Sequence, residues 1–284
     1  MNLSLLYRGP LASCNYGCGY CPFSKREETL AQLERDRLAL ARFKAWLSNQ
    51  TEHRWKILFT PWGEALIRRW YREAIAELSH QLHIEFVTIQ TNLSGSLSWL
   101  TSCEVRKVSL WATYHPTETE IKAFLRKVHL VQKQRVRLCV GTVGVPEALP
   151  QIEDLRQQLP GDVYLWVNAQ QPRKHPYTAE ELQRFQAIDP QFELTTRRAR
   201  SLGKFCAAGE LSFTVDGVGD MRRCHFVDEV IGNCYEANWE AALQPRPCPN
   251  RFCDCFLGKS QLLSEELRPI FGSTLLARLP EPAW

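Results

Sequence analysis

Short apolar segments of strand length alternate with segments of helical periodicity along the first two thirds of the chain. Six apolar segments rich in β-branched or aromatic residues predict strands at 3–7, 57–60, 84–91, 105–113, 136–143 and 163–167. Between them, apolar residues recur at helical spacing from Leu33, Ile67, Ile121 and Ala148, and Thr178-x-x-Glu181 predicts the capping box of one more helix. Strict alternation of this kind predicts an α/β fold with a parallel sheet, either doubly wound or barrel-shaped.

Three cysteines, Cys14, Cys18 and Cys21, follow the first predicted strand, with Tyr20 directly before the last of them. Three thiolates leave one iron of a [4Fe-4S] cluster without a protein ligand, and that iron can bind a small molecule. Zinc fits less well, because a structural zinc site needs four ligands and no fourth Cys or His lies within about thirty residues. A disulfide framework also fits poorly, since no signal-type apolar segment opens the chain.

The motif Cys14-x3-Cys18-x2-Cys21, with its aromatic residue at position 20, resembles the signature of the radical S-adenosylmethionine (SAM) enzymes. The resemblance implies a cluster that binds SAM and cleaves it reductively to methionine and a 5′-deoxyadenosyl radical, which removes a hydrogen atom from a substrate. It also implies a partial (β/α)6 TIM-like barrel with the cysteines at the carboxyl ends of the strands, where parallel barrels carry their sites. A reducing partner such as flavodoxin or ferredoxin is expected.

The resemblance further suggests which residues contact SAM. Tyr20 would lie against the adenine, and Gly63-Glu64 resembles a degenerate Gly-Gly-Glu segment whose backbone receives the SAM amino group. An ordinary turn before a helix would explain Gly63 equally well. The remaining predicted contacts lie on or just after later strands: Asn92, Ser109, Thr113 and Val143. His115, before Pro116, is a further polar group near a strand end, or the cap of a turn.

A second cysteine region lies near the carboxyl end. Cys206-x12-Gly219-x4-Cys224 fits the first half of the auxiliary-cluster motif in the SPASM and Twitch extensions of radical SAM enzymes. The segment predicts a hairpin, with a strand over 211–215, turn residues at 216–217 and a second strand from 221. The other ligands are expected among Cys248, Cys253 and Cys255, with Cys234 a weaker candidate. One auxiliary Fe-S cluster, of the [4Fe-4S] type, is predicted, and a zinc ribbon is the alternative.

The sequence predicts three regions. Residues 1–190 form the predicted partial barrel, 191–258 a Twitch-like auxiliary cluster domain, and 259–284 a C-terminal helix that docks on the barrel. A radical SAM enzyme acting on a peptide or protein is the leading interpretation. The alternatives are a radical SAM enzyme acting on a small molecule or RNA, and a non-catalytic iron-sulfur electron carrier or zinc scaffold.

The amino-acid composition gives further evidence on these functional classes. The balance of 35 basic against 31 acidic residues, a formal charge of +4, is too mild to indicate nucleic-acid binding. No apolar stretch reaches membrane-spanning length, so we expect a soluble, cytoplasmic protein. Cys103 and Cys139 stand apart from the other cysteines, and Cys139 is expected to be an ordinary core residue.

Overall fold

A nine-stranded, mostly parallel sheet organises the protein. The computed structural model describes residues 1–21, 27–171, 175–265 and 267–280. The six predicted strands are present and pair in parallel in sequence order: β1 (Asn2–Arg8), β2 (Arg54–Phe59), β3 (Ile84–Thr91), β4 (Val108–Thr113), β5 (Arg137–Gly144) and β6 (Tyr164–Ala169). The prediction of a mainly parallel α/β sheet is therefore confirmed.

The helices that follow these strands cover one face of the sheet. They are α1 (Leu30–Ser48), α2 (Arg69–Ser79), α3 (Ile121–Lys133), α4 (Leu149–Gln158) and α5 (Ala179–Ile188). The single-turn α6 (Glu193–Thr196) follows, and its Leu194 packs on the opposite face. The core residues of α1 to α5 pack in one cluster with the outward side chains of the strands, such as Leu5 and Tyr7. Sequential strand order with the helices on one face differs from a doubly wound sheet, which reverses its order at a switch point.

Local sequence signals explain where the helices begin. Thr29 caps α1 together with Gln32, and the predicted capping box of Thr178 and Glu181 opens α5. Phe43 of α1 then stacks on Tyr7 of β1, with the ring centroids 4.2 Å apart. The capping box thus sets where α1 begins, and the buried apolar residues of α1 pack it against β1.

Two predicted elements begin later than their apolar pattern suggests. Residues Ala65–Ile67 form a 3-10 turn before α2, and Val105–Lys107 form another before β4. In each case the preceding acid, Glu64 or Glu104, accepts a hydrogen bond from the backbone two residues later. This local capping favours a tight turn over the regular element at that point.

Seven short strands follow in the last third of the chain: β7 (Ala199–Arg200), β8 (Phe205–Cys206), β9 (Ser212–Asp216), β10 (Asp220–Arg222), β11 (Val230–Asn233), β12 (Arg246–Pro247) and β13 (Phe252–Cys253). The predicted hairpin is confirmed as β9 and β10. Its left-handed residue is Gly219, with φ 93°, where the backbone needs a glycine. Strand β9 pairs in parallel with β1, so the sheet continues across the boundary predicted at residue 190.

The predicted C-terminal helix is not continuous. The chain forms α7 (Phe256–Lys259), α8 (Arg268–Phe271) and a 3-10 turn over Gly272–Ala277. Pro269 restricts the chain to a new helix start, and Gly272 has a φ of 47°, which ends α8. Residues 266 and 281–284 of the predicted segment lie outside the described residues.

This segment fills the face of the sheet opposite the helices. Phe271, Leu276 and Leu279 pack there against Trp111 and Trp166, which project from β4 and β6. The predicted docking on the sheet therefore occurs through short turns. None of the described helices has the length and apolar character that a bilayer crossing requires.

The loop after β1 packs closely against the end of β2. Its Leu11 amide donates to buried Asp36 on α1, at 3.1 Å, and its Ser13 carbonyl accepts from the Glu64 amide at 3.1 Å. A Cβ atom added to Gly63 would lie 1.8 Å from the Ser13 carbonyl oxygen. Gly63 is therefore required for the backbone of the cysteine loop to reach this position.

We expect Gly63→Ala to lower the free energy of unfolding by about 1–3 kcal/mol, because the Ser13 backbone must move to admit a methyl group. Urea unfolding followed by circular dichroism measures the change. Gly161→Ala is the matched control, since a Cβ there meets nothing within 4 Å. Equal losses in the two variants would contradict the close approach.

Candidate functional site

Cys14, Cys18 and Cys21 lie in one loop at the carboxyl edge of the sheet, between β1 and α1. Cys18 is 3% exposed, the other two are half-buried, and the Cys21 amide donates to the Cys18 carbonyl at 3.1 Å. Burial raises the pKa of Cys14, and raises that of Cys18 to about 11. Metal binding at this loop must therefore displace thiol protons.

The loop cysteines contact polar groups from two neighbouring strand ends. The Tyr16 amide lies 3.4 Å from the Cys14 sulfur, and Asn92 Nδ2, just after β3, lies 3.8 Å from it. His115 Nδ1, just after β4, lies 3.3 Å from the Cys18 sulfur. Hydrogen bonds to cysteine sulfurs tune the potential of iron-sulfur clusters, so these contacts fit a redox centre.

Tyr20 packs beside the same histidine. Its hydroxyl lies 2.9 Å from His115 Nδ1, and the two rings are nearly parallel with centroids 5.9 Å apart. Burial lowers the pKa of His115 to about 4, so the imidazole is neutral at pH 7. The sequence offered only a polar residue at a strand end, whereas the structure places His115 in contact with two members of the predicted site.

Glu64 connects the loop to the next strand from inside the protein. It is 2% exposed, and its Oε1 accepts from the Thr91 hydroxyl and the Leu66 amide, each at 2.9 Å. Its Oε2 accepts from the Asn92 amide at 2.5 Å. The Glu64 carboxylate thus accepts its hydrogen bonds from protein donors. At Gly63-Glu64, a ligand could therefore reach the backbone and not this carboxylate.

The remaining predicted SAM contacts divide into two sets. Thr113 and Val143 lie at or near the carboxyl ends of β4 and β5, the edge that carries the cysteine loop. Ser109 lies four residues before Thr113, about 13 Å away along the strand. It faces Leu276 and Ala277 of the C-terminal segment. The structure does not bring Ser109 to the cysteine loop, because β4 begins only at Val108.

A second group of cysteines surrounds a cavity of about 150 Å³. The cysteines that line it are Cys206, Cys224, Cys248 and Cys253. Two short antiparallel pairs hold the chain there, β8 with β12 and β7 with β13. A Cβ on Gly258 would lie 2.5 Å from the Cys253 sulfur, so this glycine lets α7 approach the cavity.

Arg223 supplies positive charge to the same cavity. It is 4% exposed, lines the cavity, and its Nη2 donates to the Arg246 carbonyl at 2.8 Å. Burial raises the pKa of Cys206 and Cys224, and the charge of Arg223 lowers it in part. A buried cation beside four thiols is suited to a centre whose ligands are thiolates. Four thiolates fit either a fully ligated iron-sulfur cluster or a zinc ion.

The geometry also separates the competing cysteines. Cys255 packs against the tryptophan-lined face of the sheet, and Cys234 lies in the core beneath the helices. Neither lines the four-cysteine cavity. Cys139 is buried in the sheet, as expected of a core residue. Within the described ranges, no three Cys, His, Asp or Glu side chains converge at the distances of a single metal ion.

Comparison with known proteins gives a structural likeness only. No protein-family model and no curated protein sequence matches this chain. The solved structure of anSMEcpe with bound AdoMet matches with a TM-score of 0.56 and 15% identity, over 86% of this chain and 80% of that one. AnSMEcpe with bound AdoMet and Kp18Cys peptide matches at TM-score 0.58 and 14% identity, over 86% and 80% of the two chains.

A third solved structure, SuiB of Streptococcus suis, matches at TM-score 0.54 and 14% identity, over 86% of this chain and 66% of that one. Identities this low establish a shared fold and leave the site to be argued from its own residues. The chain therefore has the fold of AdoMet-bound anSMEcpe and of SuiB.

The burial of Glu64 makes stability depend on pH. Burial raises its pKa from 4.5 to about 7, so the folded protein holds a proton that the unfolded chain has released. This stabilisation is complete below pH 4.5 and is lost as the pH rises through 7, a change of about 3 kcal/mol. Urea unfolding between pH 4.5 and 8 should show a fall in stability that is smaller in Glu64→Gln than in the wild type by about this amount. Exposed Glu34→Gln is the control, and an unchanged slope in Glu64→Gln would contradict the assignment.

Proposed function

We propose that this protein is a radical SAM enzyme. The observation that carries the proposal is the three-cysteine loop at the carboxyl edge of a parallel sheet whose fold is that of AdoMet-bound anSMEcpe. Cys14, Cys18 and Cys21 would hold a [4Fe-4S] cluster with one iron left for SAM. When bound, the cluster and SAM supply a 5′-deoxyadenosyl radical that removes a hydrogen atom from the substrate.

The chain's own residues would position SAM and exclude water. Tyr20, fixed by its contact with His115, would lie against the adenine. The backbone at Gly63-Glu64 would receive the amino group, since the Glu64 carboxylate is already committed. Asn92 beside Cys14 would face the polar end of SAM. Thr113 and Val143 are assigned to the same ligand more loosely, from their strand-end positions.

We assign the four-cysteine cavity to one auxiliary [4Fe-4S] cluster. Four thiols around the cavity leave no iron open, which favours electron transfer over direct substrate binding. Arg223 would stabilise the added negative charge when such a cluster is reduced. A one-electron donor such as flavodoxin or ferredoxin is the proposed redox partner.

A peptide or protein is the substrate class we propose first. Its support is the structural match to anSMEcpe solved with the Kp18Cys peptide. The auxiliary centre supports a net oxidation, because it could accept the electron that a substrate radical leaves behind.

Anaerobic protein reduced with dithionite in the presence of SAM should release 5′-deoxyadenosine and methionine, measured by liquid chromatography. Cys18→Ala should reduce both products to background, because only two thiolates remain for the cluster. Cys103→Ala is the control, since Cys103 lies half-buried near the Trp99 carbonyl, apart from both cysteine groups. Absence of product from cluster-loaded wild type would instead favour an electron carrier.

Iron analysis should separate the cysteine assignments. We expect about eight irons per chain in the wild type and about four after alanine replacement of Cys248 together with Cys253, because only two thiolates would then remain at the cavity. Cys255→Ala and Cys234→Ala are the matched controls and should keep the wild-type iron content, because neither residue lines the cavity. About four irons with bound zinc in the wild type would contradict the auxiliary cluster.

A further inference from the structure

A basic surface depression of about 300 Å³ lies beside the four-cysteine cavity. The residues that line it are Arg200, Leu202, Lys204, Arg251 and Phe252. Three of these side chains are cations, all three are exposed, and none of them forms an ion pair with a described residue. Leu202 is 65% exposed. The depression therefore presents uncompensated positive charge together with exposed apolar surface.

The neighbouring acids do not neutralise this charge. Asp254 accepts hydrogen bonds from both ends of the Arg198 guanidinium, at 2.8 and 3.0 Å, and Glu265 pairs with Arg197. Each of these acids is thus balanced by a cation of its own, outside the lining of the depression. A partner with surface carboxylates would gain charge-assisted hydrogen bonds here without first breaking an ion pair of this chain.

A single side chain separates the depression from the four-cysteine cavity. Phe252 lines both spaces, and it directly precedes Cys253. The backbone around Lys204 is also bonded to another cysteine of the cavity. The Cys248 amide donates to the Lys204 carbonyl at 2.8 Å, and the Gly203 amide donates to the Cys248 carbonyl at 2.9 Å. A redox group brought to the depression would therefore be close to the cysteines of the proposed auxiliary centre.

Backbone pairing holds the cations of the depression in place. Arg200 on β7 pairs with Phe252 on β13, and the Ser201 amide donates to the Arg251 carbonyl at 3.1 Å. The Arg251 guanidinium lies 5.4 Å from the centre of the Phe252 ring. Because the surface is already formed in the free protein, a partner would lose less conformational entropy on binding to it.

We propose that this depression is the docking surface of an acidic one-electron carrier protein, a flavodoxin or a ferredoxin. This inference rests on the proposed function and assigns a surface to its redox partner. In the proposed net oxidation, the auxiliary centre gains one electron from the substrate radical. The docked, oxidised carrier would take that electron, so the carrier is reduced by one electron while the centre is reoxidised. RNA is the less favoured partner, because three cations form a small patch and the whole chain carries only +4.

Docking can be measured without turnover. We expect isothermal titration of the cluster-loaded wild type with purified flavodoxin, and separately with ferredoxin, to show binding that weakens as salt is added, because salt screens exposed charges. The triple variant Arg200→Gln, Lys204→Gln, Arg251→Gln should bind at least about tenfold more weakly at low salt and show a flatter salt dependence. Equal affinity in the wild type and this variant, or no binding of either carrier by the wild type, would overturn the proposal.

A matched control removes the same charge from another surface. Lys122, Arg126 and Lys133 are exposed cations of α3 without an ion pair to a described residue. The core residues of α3 pack beneath the helices, apart from the small cluster around Cys206 and Cys253. Replacing these three cations with Gln should change the affinity for the carrier by less than about twofold. A loss equal to that of the site variant would show that overall charge attracts the carrier, and would overturn the proposal.

Two further measurements separate the remaining alternatives. If a single-stranded RNA oligonucleotide binds through these three cations and neither carrier does, the depression is an RNA site and the proposal is overturned. Dithionite needs no docking surface, so it should drive equal release of 5′-deoxyadenosine from the wild type and the site variant. Absence of 5′-deoxyadenosine from cluster-loaded wild type that still binds flavodoxin would contradict the proposed function and leave the docking surface standing. Should the triple variant fail to fold, as judged by circular dichroism, Arg251→Gln alone decides the test.

Discussion

The hydrogen bonds of one buried carboxylate organise the edge of the sheet on which the proposed site depends. Glu64 accepts from Thr91 and Asn92 at the end of β3, while its own amide donates to Ser13 in the cysteine loop. A single residue therefore ties the loop to two strands. Gly63 makes this possible, because no side chain separates its backbone from that of Ser13. The position of the cysteine loop therefore depends on the backbone contact between Gly63 and Ser13 more than on contacts of the cysteine side chains.

Different parts of the chain cover the two faces of the sheet. The five long helices cover one face, and the other is filled by the segment after Cys255, with Phe271 and Leu279 against the tryptophans of β4 and β6. This second layer brings Arg278 into the interior beside Trp111. A positive side chain is thus enclosed by the aromatic residues of this face.

Much of this architecture could be predicted from local pattern. The alternation of strands and helices, the capping box at Thr178, and the hairpin after Cys206 all depend on residues close together in sequence. The C-terminal helix was predicted wrongly because its apolar residues have helical spacing, whereas Pro269 and Gly272 interrupt the backbone. Ser109 was assigned to the SAM site from its strand, but its distance from the carboxyl edge depends on where β4 begins.

The choice among the late cysteines lay beyond sequence reasoning for a different reason. Cys253 and Cys255 are two residues apart, and only the pairing of β13 with β7 determines which of them faces the cavity. His115 was similarly hard to assign, because its contact with Cys18 joins segments about a hundred residues apart. Such contacts are set by tertiary packing, which no local pattern records.

The parallel pairing of β9 with β1 affects how the protein unfolds. Strand β1 leads directly into the first cysteine loop, and β9 stands between Cys206 and Cys224. Both cysteine groups are thus anchored to adjacent strands of one hydrogen-bonded ladder. Heat or denaturant that separates β1 from β9 would therefore disrupt both cysteine groups together. The two halves of the chain would then unfold in a single cooperative transition.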